Sequence, residues 1–218
     1  MRRLLVLLAI TACAGTSSAF AASLSLGSWH LWTGSQTLTK AQCVVTGTTS
    51  TTDTYVSESS PTSSFGSSAS LSLLPDAYTS AKWAFVRFDL SGCSIPPTGG
   101  ADSAQLVLTL TVAPKAARTL TITPVLGTWG GTLTWTQAQS LVYGAATTTV
   151  ATGTTDGATL TATVTADVDA LIRNGSASFG WRISDTGAQG QNSTKDSMTI
   201  AAAEATSGKP TLVVNYEQ

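Results

Sequence analysis

At 218 residues the chain has the length of one domain, ample for a hydrophobic core of its own. Charged residues are only 11% of it and the formal net charge is −1, so no basic stripe exists to neutralise phosphates, and nucleic acid is set aside as a partner. Polarity comes instead from Ser, Thr, Gly, Asn and Gln, which suit exposed strand faces better than Glu- and Lys-rich helices do, so the chain reads as all-β.

The amino terminus reads as a secretory signal peptide spanning residues 1–21. Arg2 and Arg3 precede an apolar run from Leu4 to Ile10, and Ala19-Phe20-Ala21 is a small-x-small cleavage pattern. Ile10-Thr11-Ala12-Cys13 also has the look of a lipoprotein box in which Cys13 would be lipidated, a minor alternative to free secretion. No window approaches the roughly 20 apolar residues that a membrane span requires. Removal of the leader leaves Cys43 and Cys93 as the remaining thiols, and an even pair in an oxidising compartment is expected to form a disulfide. Two cysteines with one distant histidine, His30, do not make a zinc set.

Residues 22–52 read as amino-terminal strands ahead of the main sandwich at 53–218. Leu24, Leu26 and the run Trp29-His30-Leu31-Trp32 suggest one or two strands, and Gln42 to Val45 another. Thr46 to Thr52 reads as a loop or exposed edge. Asp53 to Val56 opens a more legible block, followed by a long loop through Pro61, Phe65 and Gly66 and by a period-two strand at Ala69 to Leu73. In Trp83 to Leu90, alternation places Ala84, Val86, Phe88 and Leu90 on a core side and Trp83, Phe85, Arg87 and Asp89 on the other. That other side is either a second packed layer with a buried ion pair or a polar-aromatic surface that holds a ligand.

Gln105 to Val112 alternates cleanly, with Leu106, Leu108, Leu110 and Val112 inward, and Thr119 to Thr123 gives a further strand. Trp129 to Ala138 is a glycine-hinged excursion bearing two indoles, Trp129 and Trp135. Leu160, Ala162 and Val164 line a strand that leads into a helix over Thr165 to Gly175. Thr165 is its expected cap, two aspartates sit in its first turn, and Asn174-Gly175 stops it. The spacing of Asp167 and Asp169 is calcium-like, but the helix dipole accounts for them without a metal, so no cofactor is assigned. Ser178 to Ile183 returns to strand with Phe179, Trp181 and Ile183 inward. Asp185 to Ser197 is a polar loop, and Thr211 to Tyr216 closes the chain with Leu212, Val214 and Tyr216 facing in. About ten short strands between Gly, Pro and Thr/Ser turns, with one short helix, specify an antiparallel β-sandwich of jelly-roll type.

The order of these signatures resembles the secreted bacterial DNRLRE-domain family, grouped with carbohydrate-binding module family 96. The resemblance is carried by Asp53-Thr54-Tyr55-Val56, Ser59 to Gly66 and Phe85 to Leu90. It continues through Asp102 to Leu106, Trp129 with Leu133-Thr134-Trp135, the Thr163 to Ile172 step, and Lys209 to Tyr216. Two segments depart from the family pattern. Thr136-Gln137-Ala138-Gln139 stands where an Asn-Asn-Ala-Pro-like turn is usual, and Ala203-Glu204 where a Ser-Arg-Glu-like tripeptide is usual. The resemblance implies a jelly roll, export, and non-catalytic binding of an extracellular or cell-surface polysaccharide.

Bond-breaking chemistry has little to work with. A Ser-His-Asp arrangement would rest on His30, the sole histidine. Asp53, Glu58, Asp76, Asp89, Asp185 and Asp196 are acids that a glycosidase pair could draw on, but no motif singles out two of them. Binding is better supplied, because aromatic faces stack on the apolar faces of sugar rings while Arg, Asp, Asn and Gln meet hydroxyls. The expected ligand cluster is Trp83, Arg87 and Asp89, followed by Trp129 and Trp135; Trp32 is a further indole near a Gly-rich turn, and Trp181 belongs to the core. The alternative is a structural subunit of a surface fibre, coat or adhesin that self-associates through sheet edges.

Overall fold

The computed structural model describes residues 39–76, 80–96, 99–174, 180–186 and 197–218. The expected leader, the strands expected around Trp29 to Trp32, the helix stop expected at Gly175, Phe179 and Asp196 lie outside the described residues. Two antiparallel sheets form the sandwich. One has six strands: β1 (Lys40–Thr46), β3 (Ser70–Leu73), β5 (Ala101–Val112), β8 (Thr159–Thr163), β10 (Met198–Ala201) and β11 (Thr211–Glu217). The other has five, in the order β2 (Thr51–Ser57), β4 (Lys82–Phe88), β9 (Trp181–Asp185), β6 (Thr119–Pro124) and β7 (Thr148–Ala151). Two helices complete the set, α1 (Trp135–Ala138) and α2 (Thr165–Asn174). Neither is long and apolar enough to cross a membrane.

Period-two alternation builds the core between the sheets. Ala84, Val86 and Phe88 from β4, Leu106, Leu108 and Leu110 from β5, and Leu120, Ile122, Trp181 and Ile183 from β6 and β9 meet Leu212 and Val214 from β11 in one buried cluster. The inward placements expected for these residues and for Tyr216 hold. Val112 does not follow: it is 50% exposed. Ile200 pairs with Leu110 and Thr199 with Val112, so a bulge on β5 breaks the alternation one step before the strand ends.

The Cys43–Cys93 disulfide forms, with Cα atoms 5.8 Å apart. It ties β1 of the larger sheet to the turn that follows β4 of the smaller. Gly180, just ahead of β9, lies so close to the Val86 carbonyl and Arg87 that a Cβ has no room. Its lack of a side chain lets β9 dock against β4. Asp185, expected to open a polar loop, instead ends β9 as the buried partner of Arg118 at 3.0 Å.

α2 runs over Thr165–Asn174 of the expected span, with Asp167 alone of the two aspartates in its first turn, and Thr165 does not cap it. Its hydroxyl accepts the Ala104 N–H of β5 at 3.0 Å, which fastens the helix to the larger sheet. Asp167 accepts the Trp181 indole N–H at 2.7 Å and the Thr147 hydroxyl. Asp169 accepts from Ala101 N–H and pairs with Arg173 one helical turn on, at 2.7 Å. Three elements went unread in the sequence, one of them β10, the short strand that begins directly after the expected polar loop. β7 is an edge strand with little apolar patterning, and α1 is a single turn inside the glycine-hinged excursion.

Candidate functional site

The outer side of β4 is where the five-stranded sheet carries its chemistry. Antiparallel register sets Val56 opposite Trp83, Thr54 opposite Phe85 and Thr52 opposite Arg87, while Arg182 of β9 lies beside Phe85 from the other flank. The excursion expected at Trp129 to Ala138 folds back over this face. Val56, Phe85, Val125, Trp129, Leu133 and Ala138 form a second small core, with Trp83, Trp135, Leu141 and Tyr143 partly buried around it.

Local chemistry shapes this cover. Thr134 and Gln137 make a reciprocal capping box at the start of α1, the Thr134 hydroxyl accepting from the Gln137 backbone N–H and the Gln137 side-chain Oε1 accepting from the Thr134 backbone N–H. Thr136 donates to the Pro61 carbonyl, which joins α1 to the long loop after β2. Gly66 of that loop abuts the Gly131 backbone so closely that no side chain fits. The Tyr143 hydroxyl donates to the Ala138 carbonyl at 2.6 Å and closes the far end. Replacing it in Tyr143→Phe leaves that carbonyl without its partner and should lower stability by about 1 kcal/mol, read as a fall in the urea midpoint with an unchanged slope.

The expected site residues separate into three places. Trp83 and Trp135 come together: both are half-buried, with ring centroids 4.4 Å apart and planes tilted by 39°. Arg87 and Trp129 form a different pair. The Arg87 guanidinium donates to the Trp129 carbonyl at 2.8 Å and to the Thr52 hydroxyl at 3.3 Å, and stands 5.5 Å from the Trp129 ring centre. Trp129 is only 7% exposed and packs edge-on against Phe85. Asp89 lies past the end of β4, exposed, accepting the Ser91 N–H at 2.8 Å; that hydrogen bond holds its carboxyl below the usual range. The outer side is therefore a packed layer around Phe85 and Trp129, and Arg87 makes no ion pair with Asp89. At its margin it is a polar-aromatic surface around Trp83.

Three residues that sequence reasoning left out of the ligand cluster complete that margin. Asp76 accepts the Trp83 indole N–H at 2.5 Å. The Arg182 guanidinium lies 4.6 Å from the Trp83 ring centre and 4.3 Å from that of Tyr143, in cation–π contact with both. Asp76 is exposed as a residue, yet crowding around its carboxyl raises its pKa against the lowering pull of the Trp83 N–H and the Arg182 charge. Burial likewise raises the Tyr143 phenol, with Arg182 pulling the other way. Alternation about Trp181 and Ile183 would have put Arg182 on the outer side. Nothing in the sequence brings it to Trp83, because β4 and β9 are paired only by the fold.

The arrangement offers an aromatic step flanked by a carboxylate and a guanidinium, which suits a ring with one apolar face and hydroxyls at its edge. Among the described residues no three His, Cys, Asp or Glu side chains gather as a metal set. No curated protein matches the chain. Residues 44–216, nearly all of the sandwich, match the family model described as carbohydrate-binding module family 96.

Proposed function

Because the chain belongs to carbohydrate-binding module family 96, we propose that it is an exported, non-catalytic module that holds extracellular or cell-surface polysaccharide on the Trp83–Trp135 step. The observation that carries this reading is the juxtaposition of two half-exposed indoles with Asp76 at the Trp83 ring edge and the Arg182 guanidinium over the Trp83 ring. Trp83 and Trp135 supply stacking faces, Asp76 accepts from sugar hydroxyls, and Arg182 donates to them. Arg87 and Trp129 act by packing, since the Trp129 ring is covered and the guanidinium is engaged with its carbonyl. Asp89, six residues along the chain from Trp83 and so up to roughly 20 Å away in extended backbone, takes no part. The leader at residues 1–21 and the Cys43–Cys93 bridge fit an oxidising destination outside the cytoplasm.

A panel of polysaccharides presented to the purified module tests the reading. Retention on at least one glycan is expected. Trp83→Ala and Trp135→Ala should each weaken it roughly tenfold, the equivalent of about 1.4 kcal/mol of lost stacking, whereas Asp89→Asn should leave it unchanged. Retention on no glycan, or turnover of one, sinks the proposal.

A further inference from the structure

The shape of the Trp83–Trp135 step carries information about the physical form of its ligand. A crystalline polysaccharide face presents sugar rings in one rigid plane, with many of their hydroxyls already bonded to neighbouring chains. A protein surface complementary to it has to be flat as well, with aromatic rings nearly coplanar and set apart so that separate sugars along a chain can stack. A single hydrated chain makes no such demand. It can rotate about its glycosidic bonds to follow a bent surface, and its edge hydroxyls are free to exchange water for protein groups.

The indoles here are neither coplanar nor set apart. Their centroids are 4.4 Å apart and their planes diverge by 39°, so each ring covers part of the other and the pair makes one bent contact. The next aromatic group, Tyr143, cannot extend the surface. The Arg182 guanidinium lies within cation–π distance of both the Trp83 and the Tyr143 rings and sets a charge beside them. Trp129, the further indole on this side of the sheet among the described residues, is 7% exposed and packed against Phe85 and Arg87. What remains at the margin is polar: Asp76, already turned toward the Trp83 ring edge, and Arg182. Both are suited to hydroxyls that point sideways from a sugar ring.

On the reading that this site holds a sugar, we infer that it takes one or two consecutive units of a soluble, single polysaccharide chain and does not adsorb to crystalline polysaccharide. The free chain loses conformational freedom on binding and meets only a small contact, so affinity for each site is modest.

Two measurements on the same protein separate this inference from the reading it rests on. In native gels cast with soluble polysaccharides, at least one glycan should retard the protein, and Trp83→Ala should cut the apparent affinity roughly tenfold. In depletion assays with microcrystalline cellulose and crystalline chitin, the fraction removed should match that of a non-binding control. Depletion by a crystalline powder that Trp83→Ala abolishes overturns the single-chain inference and leaves carbohydrate binding standing. Retardation that Trp83→Ala does not alter overturns the assignment to this step. The absence of both retardation and depletion overturns the carbohydrate-binding proposal itself. Circular dichroism of the Trp83→Ala protein, expected to match that of the parent, keeps a folding defect from passing as lost binding.

Discussion

Breaking the Cys43–Cys93 bridge should cost the sandwich about 4 kcal/mol, the loop-closure entropy of a cross-link spanning roughly fifty residues. The bonded cysteines are 50 residues apart in sequence, and the loop between them contains all of β2, β3 and β4. In the unfolded chain the cross-link denies that stretch most of its freedom, and without it the folded state has a more disordered competitor. For a domain of this size the loss corresponds to a fall in melting temperature of roughly 10 °C. Urea unfolding of the parent protein with and without reductant, and of the Cys43→Ser/Cys93→Ser double variant, measures it. The reduced protein should also show a steeper denaturant slope, because its unfolded state exposes more surface. A loss below about 1 kcal/mol would mean that strain in the folded state offsets the entropy gain, and the bridge could not then be regarded as the main clamp between the sheets.

The second large effect is a stability that declines as pH rises through neutrality. Asp53 is 3% exposed, on the inward-facing side of β2, and its carboxylate accepts the Ala203 N–H at 2.7 Å. Burial pushes its pKa up to about 7; the Ala203 hydrogen bond pulls it down, and the nearby Glu204 charge raises it again. In the unfolded chain the same group titrates near 4. Between those two values the folded protein holds a proton that the unfolded chain has released, so stability falls as pH rises. The contribution is fully present below about pH 4 and is lost by the time the pH has risen through 7. Three pH units correspond to something on the order of 4 kcal/mol. Asp89 and Asp169, whose pKa values are lowered, work in the opposite sense, and their contributions are lost only at more acid pH. Urea midpoints should therefore decrease from pH 5 to about pH 7 in the parent protein and level off as the pH approaches 8. Asp53→Asn, which keeps an acceptor for Ala203, should flatten the slope. A midpoint that climbs over this range, or a slope that persists in Asp53→Asn, would show that Asp53 is ionised in the folded state.

Strand polarity and the division of each strand into a core side and another side were legible because they depend on a two-residue period and nothing more distant. Ala84, Val86 and Phe88, Leu106 to Leu110, and Leu212 to Tyr216 all went where alternation put them. Parity of the thiols was enough for the disulfide. The same local logic failed wherever a contact between distant segments intervened. A bulge opposite Thr199 exposed Val112, and Ala104 took the Thr165 hydroxyl that a cap would have used.

The candidate site shows the limit more sharply. Trp129 and Trp135 are six residues apart in one excursion, with similar glycine-rich and threonine-rich neighbours, and composition gives no reason to rank one above the other. One is covered and the other half-open because the Gly66 and Gly131 backbones meet and the Thr134–Gln137 capping box turns the chain between them and Tyr143. Arg87 and Asp89, two residues apart and of opposite charge, look like a pair. The strand ends at Phe88, so Asp89 turns to its own loop while Arg87 reaches the Trp129 carbonyl.

By itself, then, the sequence determined the sandwich, its inward side chains, its cross-link and the presence of aromatic groups suited to a sugar. All of these follow from short-range periodicity or simple counting. Which aromatics stand open, and that Asp76 and Arg182 join Trp83, was decided only when β9 paired with β4 and the excursion closed over their outer side. Those contacts link segments up to about a hundred residues apart, and no local preference encodes such pairings.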